Sequence, residues 1–266
     1  MIRGWYIGAS GMNVQQDSLD VISNNLANVD TTGFKKDIAV TKEFSQLLLA
    51  RQNDDGVWKT DSGSFDKAPK IGRLGLGAET NEIFTDFSQG SFKSTDTNTD
   101  LALSGKGFFV VKTSMGERYT RNGNFFYGKE GILLTKEGYP VQGENGDIHV
   151  SDDKFFVNQD GMIYTKEDNT LIDRIKVVRF DNERYLDKQG SSMWRTNDIA
   201  GEAHIAEGDE RPRFLQGYVE TSNVNVVNEM VRMIEVNRAY EANQKTVQTH
   251  DGYMDTLWNK VATVNR

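Results

Sequence analysis

The sequence predicts an α+β protein: long N- and C-terminal α-helices paired as a coiled-coil-like core, with a central antiparallel β domain between them. Apolar columns predict the helices. Counting in sevens gives Val226, Met233, Tyr240, Val247, Met254 and Val261 near one end, and Trp5, Met12, Leu19 and Leu26 near the other. Columns of this period are seams for another helix. Between them the pattern turns into short β runs punctuated by Asn-Gly and Asp-Gly pairs, which favour hairpins.

Taken in order, residues 1–35 hold the first helix and its exit. Gly4, Gly8 and Gly11 each weaken that helix by about 1 kcal/mol relative to alanine. They either let another backbone approach closely or mark a frayed terminus. The helix ends at Asn24-Asn25-Leu26-Ala27-Asn28-Val29-Asp30-Thr31-Thr32-Gly33-Phe34-Lys35. Asn and Asp tolerate left-handed backbone, Thr caps and Gly33 takes positive φ, so Asn24, Asn25, Asn28, Thr31, Gly33 and Phe34 form a fixed turn.

Residues 36–77 read as a loose connector. A short amphipathic helix is expected over 38–52, using Val40, Phe44, Leu47 and Leu48, and an exposed loop over 53–67. From 78 to 215 the expectation is the β domain, with strands at 107–113, 117–121, 131–135, 147–150, 162–165 and 172–180. Asn122-Gly123, Asn145-Gly146 and Asp160-Gly161 would supply its turns. Residues 216–266 hold the second helix, whose length of about 60 Å exceeds what a compact domain of this size needs. Gly252 falls inside it, and a continuous helix with a soft spot there is expected.

The motifs resemble a known family. The run from Asn24 to Lys35 is similar to the N-terminal signature of bacterial flagellar axial proteins, the rod and hook family. Gln216-Gly217-Tyr218-Val219-Glu220-Thr221-Ser222-Asn223 is similar to its C-terminal signature, and Asp100 to Phe109 with Tyr119 to Phe125 resembles its paired motifs in the β region. The resemblance implies a structural rod subunit. It would be exported without a cleaved signal peptide through the flagellar export apparatus and polymerise in the periplasm with copies of itself and other rod proteins, proximal and distal. The ending Gln248-Thr249-His250-Asp251-Gly252 leans toward the proximal-rod kind. The ten column residues would carry the assembly interface.

Composition bounds the alternatives. The chain has 31 Lys plus Arg against 39 Asp plus Glu, giving a net charge of −8, and the excess is spread along it, which argues against a nucleic-acid partner. It has no Cys, and its His149, His204 and His250 lie far apart, so neither a metal site nor a cofactor is expected. No run reaches the ~18 apolar residues of a membrane span. Gly105-Lys106-Gly107 precedes Phe108-Phe109-Val110-Val111, a strand, so it reads as a turn and not a phosphate cradle. No constellation nominates an active site or a small-molecule substrate.

Tyr119 and Arg121 could face a partner or pack locally, while Trp58 and Trp194, in polar surroundings, are expected at contacts between subunits. The rival readings are a hook-type axial subunit, and a secreted β-rich enzyme or binding module that oligomerises through its terminal helices.

Overall fold

The computed structural model describes residues 2–50, 57–60, 63–66, 70–128, 130–150, 155–190 and 192–261. By internal contacts the chain divides into two compact units. One comprises Met1–Ser23, Ala39–Ile83 and Met230–Arg266, and the other Asn24–Ile38 and Phe84–Glu229.

Two helices dominate the first unit. Helix α1 spans Ile2–Ala27 and helix α2 spans Val226–Val261; both run on a few residues into the second unit. A methyl added at Gly4 would overlap the imidazole of His250, and one at Gly8 or Gly11 would lie 2.8 Å from Val247 or Asn243. Rising numbers on α1 meet falling numbers on α2, so the helices run antiparallel where they touch. The coiled-coil-like pairing expected from the heptad columns is therefore corrected. Of the columns, Trp5 is exposed and Met12, Leu19, Met233, Tyr240, Val247 and Met254 are only half-buried. The close approach uses the glycine stripe, where absent side chains make room for the side chains of His250, Val247 and Asn243.

The connector is also corrected. Residues 37–50 are a strand, β1 (Asp37–Ala50), not an amphipathic helix, and β1 pairs with β4 (Lys70–Thr85) in a long two-stranded ribbon. Its partner lies some thirty residues away, beyond the reach of a local periodicity argument. The expected loop holds the hairpin β2 (Val57–Thr60) and β3 (Gly63–Asp66), in register Trp58↔Phe65; residues 53–56, 61–62 and 67 of that loop lie outside the described residues. Helix α1 rests on the ribbon through Asp17, which accepts the Thr80 hydroxyl proton at 2.5 Å, and Ser10, which accepts the Ala78 N–H at 3.3 Å. Gly252 does not interrupt α2: Thr256 Oγ1 bonds the Gly252 carbonyl at 2.9 Å, and the helix continues to Val261.

The second unit is the β domain. Its spine is a six-stranded sheet in the order β15-β16-β8-β7-β14-β17. These strands are β7 (Phe108–Thr113), β8 (Gly116–Thr120), β14 (Val177–Arg179), β15 (Asp187–Gln189), β16 (Met193–Arg195) and β17 (His204–Ile205). Each neighbouring pair is antiparallel. Smaller antiparallel pairs surround it: β5 (Phe92–Ser94) with β19 (Tyr218–Glu220), β6 (Leu101–Ser104) with β18 (Arg213–Gln216), and β9 (Phe125–Tyr127) with β10 (Leu133–Thr135). Strands β11 (Phe155–Val157), β12 (Met162–Thr165) and β13 (Leu171–Arg174) form a three-stranded sheet.

Alternation along β7 explains the core. Phe109 and Val111 point into a cluster with Leu101, Phe125, Ile163 and Phe214, while Phe108 and Val110 point into a second with Tyr119, Phe180 and Trp194. A central strand buried on both faces reads as the continuous apolar run seen at 108–111.

Gly161 (φ +76°) turns β11 into β12, and Gly146 closes a tight loop in which Gly143 N–H reaches the Gly146 carbonyl at 2.7 Å. Asn122-Gly123 is no hairpin turn: β8 and β9 on either side of it pair with other strands. Residues 147–150 make isolated bridges, and 172–180 splits into β13 and β14. Trp194, expected at a subunit contact, is fully buried beside Phe108 and Phe87 at ring separations of 5.7 and 5.3 Å. Tyr119 and Arg121 are buried as well, which settles them as local packing. The side chain of Trp58 lies outside the described residues.

Candidate functional site

The two signature segments meet in the second unit around a buried charge cluster. After α1 ends, Asn28 folds back on the helix, its N–H and Nδ2 both donating to the Asn24 carbonyl at 3.2 and 2.9 Å, and Thr31 Oγ1 bonds Asn28 Oδ1 at 3.3 Å. Asn25, itself buried, clamps Asp37 by two bonds: Nδ2 donates to the Asp37 carbonyl at 2.8 Å and Oδ1 accepts the Asp37 N–H at 2.9 Å. Gly33 adopts φ +68°, and a Cβ there would lie 2.6 Å from the Asn122 Cα, so both the conformation and the space call for glycine. Phe34 is fully buried, with the Lys188 ammonium 4.2 Å from its ring centroid; Lys188 also pairs with Asp37 at 2.7 Å.

Lys35, fully buried, donates to Glu220 Oε1 at 2.6 Å and to the Ser88 carbonyl at 2.8 Å. The same carboxylate oxygen accepts the Gly90 N–H at 2.9 Å, and Oε2 lies 3.6 Å from Arg121, whose Nη1 donates to the Gly105 carbonyl at 2.8 Å. The Glu220 carbonyl accepts the Gly33 N–H at 2.8 Å. One anion thus holds two cations, and all three side chains are at most 2% exposed. Burial pulls the Lys35 ammonium below its ordinary range, opposed by Glu220, and burial likewise lowers Arg121.

Asn223 completes the joint. Its Oδ1 accepts the Lys36 N–H at 2.8 Å and its Nδ2 donates to the Asp86 carbonyl at 2.8 Å. Two residues on, Asn225 Oδ1 accepts the Asn228 N–H at 3.1 Å as the N-cap of α2. Motif residues Asn25, Gly33 and Phe34 are thus buried, Asn28 and Thr31 half-buried and Asn24 exposed. Sequence reasoning missed Lys35, Arg121, Glu220 and Asn223 as a unit. The available signal was charge inside apolar company: Phe34-Lys35 and Val219-Glu220.

Of the remaining column residues, Leu26 and Val226 are half-buried, and the side chain of Val261 lies outside the described residues. More strongly exposed are residues beside the columns: Tyr6 and Ile7 on α1, and Val227, Met230, Val231, Ile234, Tyr253, Leu257 and Trp258 on α2.

The β domain also carries a polar groove, lined by Lys106, Arg179, Asp181, Glu183, Arg184, His204 and Glu210 among others. Within it Arg179 pairs with Glu210 at 3.3 Å, and His204 Nε2 lies 3.7 Å from an Asp181 carboxylate oxygen.

Three family models cover the landmarks just described. "Flagella basal body rod protein" matches residues 6–35, "Flagellar hook protein FlgE/F/G D1 domain" matches 102–165, and "Flagellar basal body rod FlgEFG protein C-terminal" matches 215–259. The chain is 36% identical to the flagellar basal-body rod protein FlgG of Bacillus subtilis and 35% identical to FlgG of Buchnera aphidicola, in each case over 97% of this chain and 99% of the relative.

The chain belongs to the flagellar basal-body rod protein family. It is also 32% identical to FlgF of Caulobacter vibrioides over 91% of both chains. Relatives of both names therefore align over nine-tenths or more of this rod-family chain. The N-terminal model ends on Lys35 and the C-terminal model contains Glu220 and Asn223, so both family segments contribute to the buried joint.

Proposed function

We propose that the chain is a structural subunit of the bacterial flagellar basal-body rod, polymerising into the helical shaft that transmits torque from motor to hook. The observation that carries this is the near full-length identity to proteins named for that role. The physical arrangement supports it. A β domain with two buried cores and a charge-locked joint is a stiff body, and helices bearing exposed apolar residues are adhesive elements. Contacts between unlike surfaces of one chain propagate as a filament when their rotation does not close.

On this reading the chain performs no catalysis, acts in the periplasm after export, and binds copies of itself and neighbouring rod proteins. No described helix is long and apolar enough to cross a membrane.

Deleting the gene in a motile host tests the proposal. Loss of swimming, restored by a tagged copy that copurifies with basal bodies, is expected. Normal motility in the deletion strain, or a tagged chain absent from basal bodies, would overturn it.

A further inference from the structure

The first unit carries an unfilled groove and an uncovered helix end. The groove, about 670 Å³, lies between α1 and the ribbon, with Tyr6 and Val14 of α1, Phe44 and Leu47 of β1 and Leu76 of β4 on its walls. It is on the far side of α1 from α2, because Tyr6 stands two residues, about 200°, around the helix from Gly4. Its α1 wall runs from Arg3 to Asp17, about 21 Å at 1.5 Å per residue.

The helix end follows from the antiparallel approach. His250 lies against Gly4 and α1 begins at Ile2, so the last residues of α2 run beyond the start of α1. On that overhang Tyr253 is 63%, Leu257 41% and Trp258 71% exposed. From 253 to 261 it measures about 12 Å, and so fits within the groove's length. Arg3 heads the groove and has no carboxylate partner among the described residues; Asp255, within the overhang, has no cation partner among them.

Resting on the rod reading, we propose that the groove between α1 and the β1–β4 ribbon receives the overhanging end of α2 from a second copy of the chain. Trp258 and Leu257 enter the apolar floor, and Asp255 faces Arg3. This is the helix-in-groove mode of recognition. Groove and overhang are different surfaces of one chain, so the contact is head-to-tail and repeats without closing.

The chain has no cysteine, so introduced thiols report one contact. Arg3→Cys on the groove and Asp255→Cys on the overhang are the pair that this contact sets face to face, and they leave Trp258, Leu257 and the apolar walls intact. The two variants are co-expressed in the deletion strain, and basal bodies are isolated and oxidised. The expected result is a dimeric adduct, reduced at least tenfold when Trp258→Ala is added to the Asp255→Cys chain.

Incorporation of both variants without an adduct would overturn the groove contact while leaving the rod reading standing. If the wild-type chain never enters basal bodies, the rod reading fails, and the same oxidation is read on concentrated purified chain. There an adduct supports the contact and its absence overturns it. A monomeric adduct in dilute chain carrying both cysteines would put the overhang in its own groove and overturn the role of a second copy.

Discussion

Replacing Glu220 should destabilise the β domain more than replacing either of its cationic partners. The cluster holds Lys35, Arg121 and Glu220 essentially out of water, with a net charge of +1. Glu220→Gln preserves shape but leaves two buried cations facing each other, raising the cluster to +2 with the Ser88 and Gly105 carbonyls and one neutral amide oxygen as acceptors. Removing one partner from a buried ion pair typically costs about 3–5 kcal/mol, and the upper half of that range is expected here.

Lys35→Met takes the cluster to zero and leaves Glu220 held by Arg121 and the Gly90 N–H. A charge-assisted hydrogen bond is lost while a buried ammonium is removed, so the cost should be about 1–2 kcal/mol. The double variant returns to +1 and should cost less than the sum of the two, with a coupling of about 1–3 kcal/mol. Urea unfolding followed by Trp fluorescence measures all four chains, since Trp194 sits in the core of the same unit. If Glu220→Gln costs no more than Lys35→Met, or the two effects simply add, the cluster is not held by the carboxylate and the argument fails.

Further outcomes follow from the same structure. Lys35 has a folded pKa below its unfolded value of 10.5, so between the two the unfolded chain binds more protons and stability rises with pH. The wild-type minus Lys35→Met difference in urea midpoint should move in favour of wild type as pH climbs toward 10.5, and a flat or falling difference would contradict it. Gly33→Ala, with φ +68° and a clash on Asn122, should cost about 1–3 kcal/mol by chemical denaturation.

Gly8→Ala should gain about 1 kcal/mol if helix propensity decides. The 2.8 Å approach to Val247 predicts a loss instead, relieved by Val247→Ala and read by helix unfolding in circular dichroism. Trp194→Ala should cost about 3–5 kcal/mol, visible as a lower melting temperature of the β domain.

The helices were legible because heptad columns and the Asn-rich exit are local signals. Their packing was not. A column records where apolar groups recur, but the approach of α1 to α2 is set by what Gly4, Gly8 and Gly11 lack, and the same glycines read equally well as a frayed end. Strand β1 defeated local reading for another reason: Phe44, Leu47 and Leu48 suit a helix period, and the decision belonged to β4, distant in the chain. The Lys35–Glu220 pair joins residues 185 apart, which no spacing rule reaches. Trp194 looked exposed because its sequence neighbours are polar, whereas Phe87, Phe108 and Phe180 come to its cluster from three other segments.

The most direct test is a density map of intact basal bodies from a strain whose rod contains this chain. The account predicts it as a rod subunit, with Gly4, Gly8 and Gly11 against His250, Val247 and Asn243 and with Trp258 covered by a neighbouring copy. A rod without it, or one in which its two terminal helices stand apart and Trp258 faces solvent, would contradict the account.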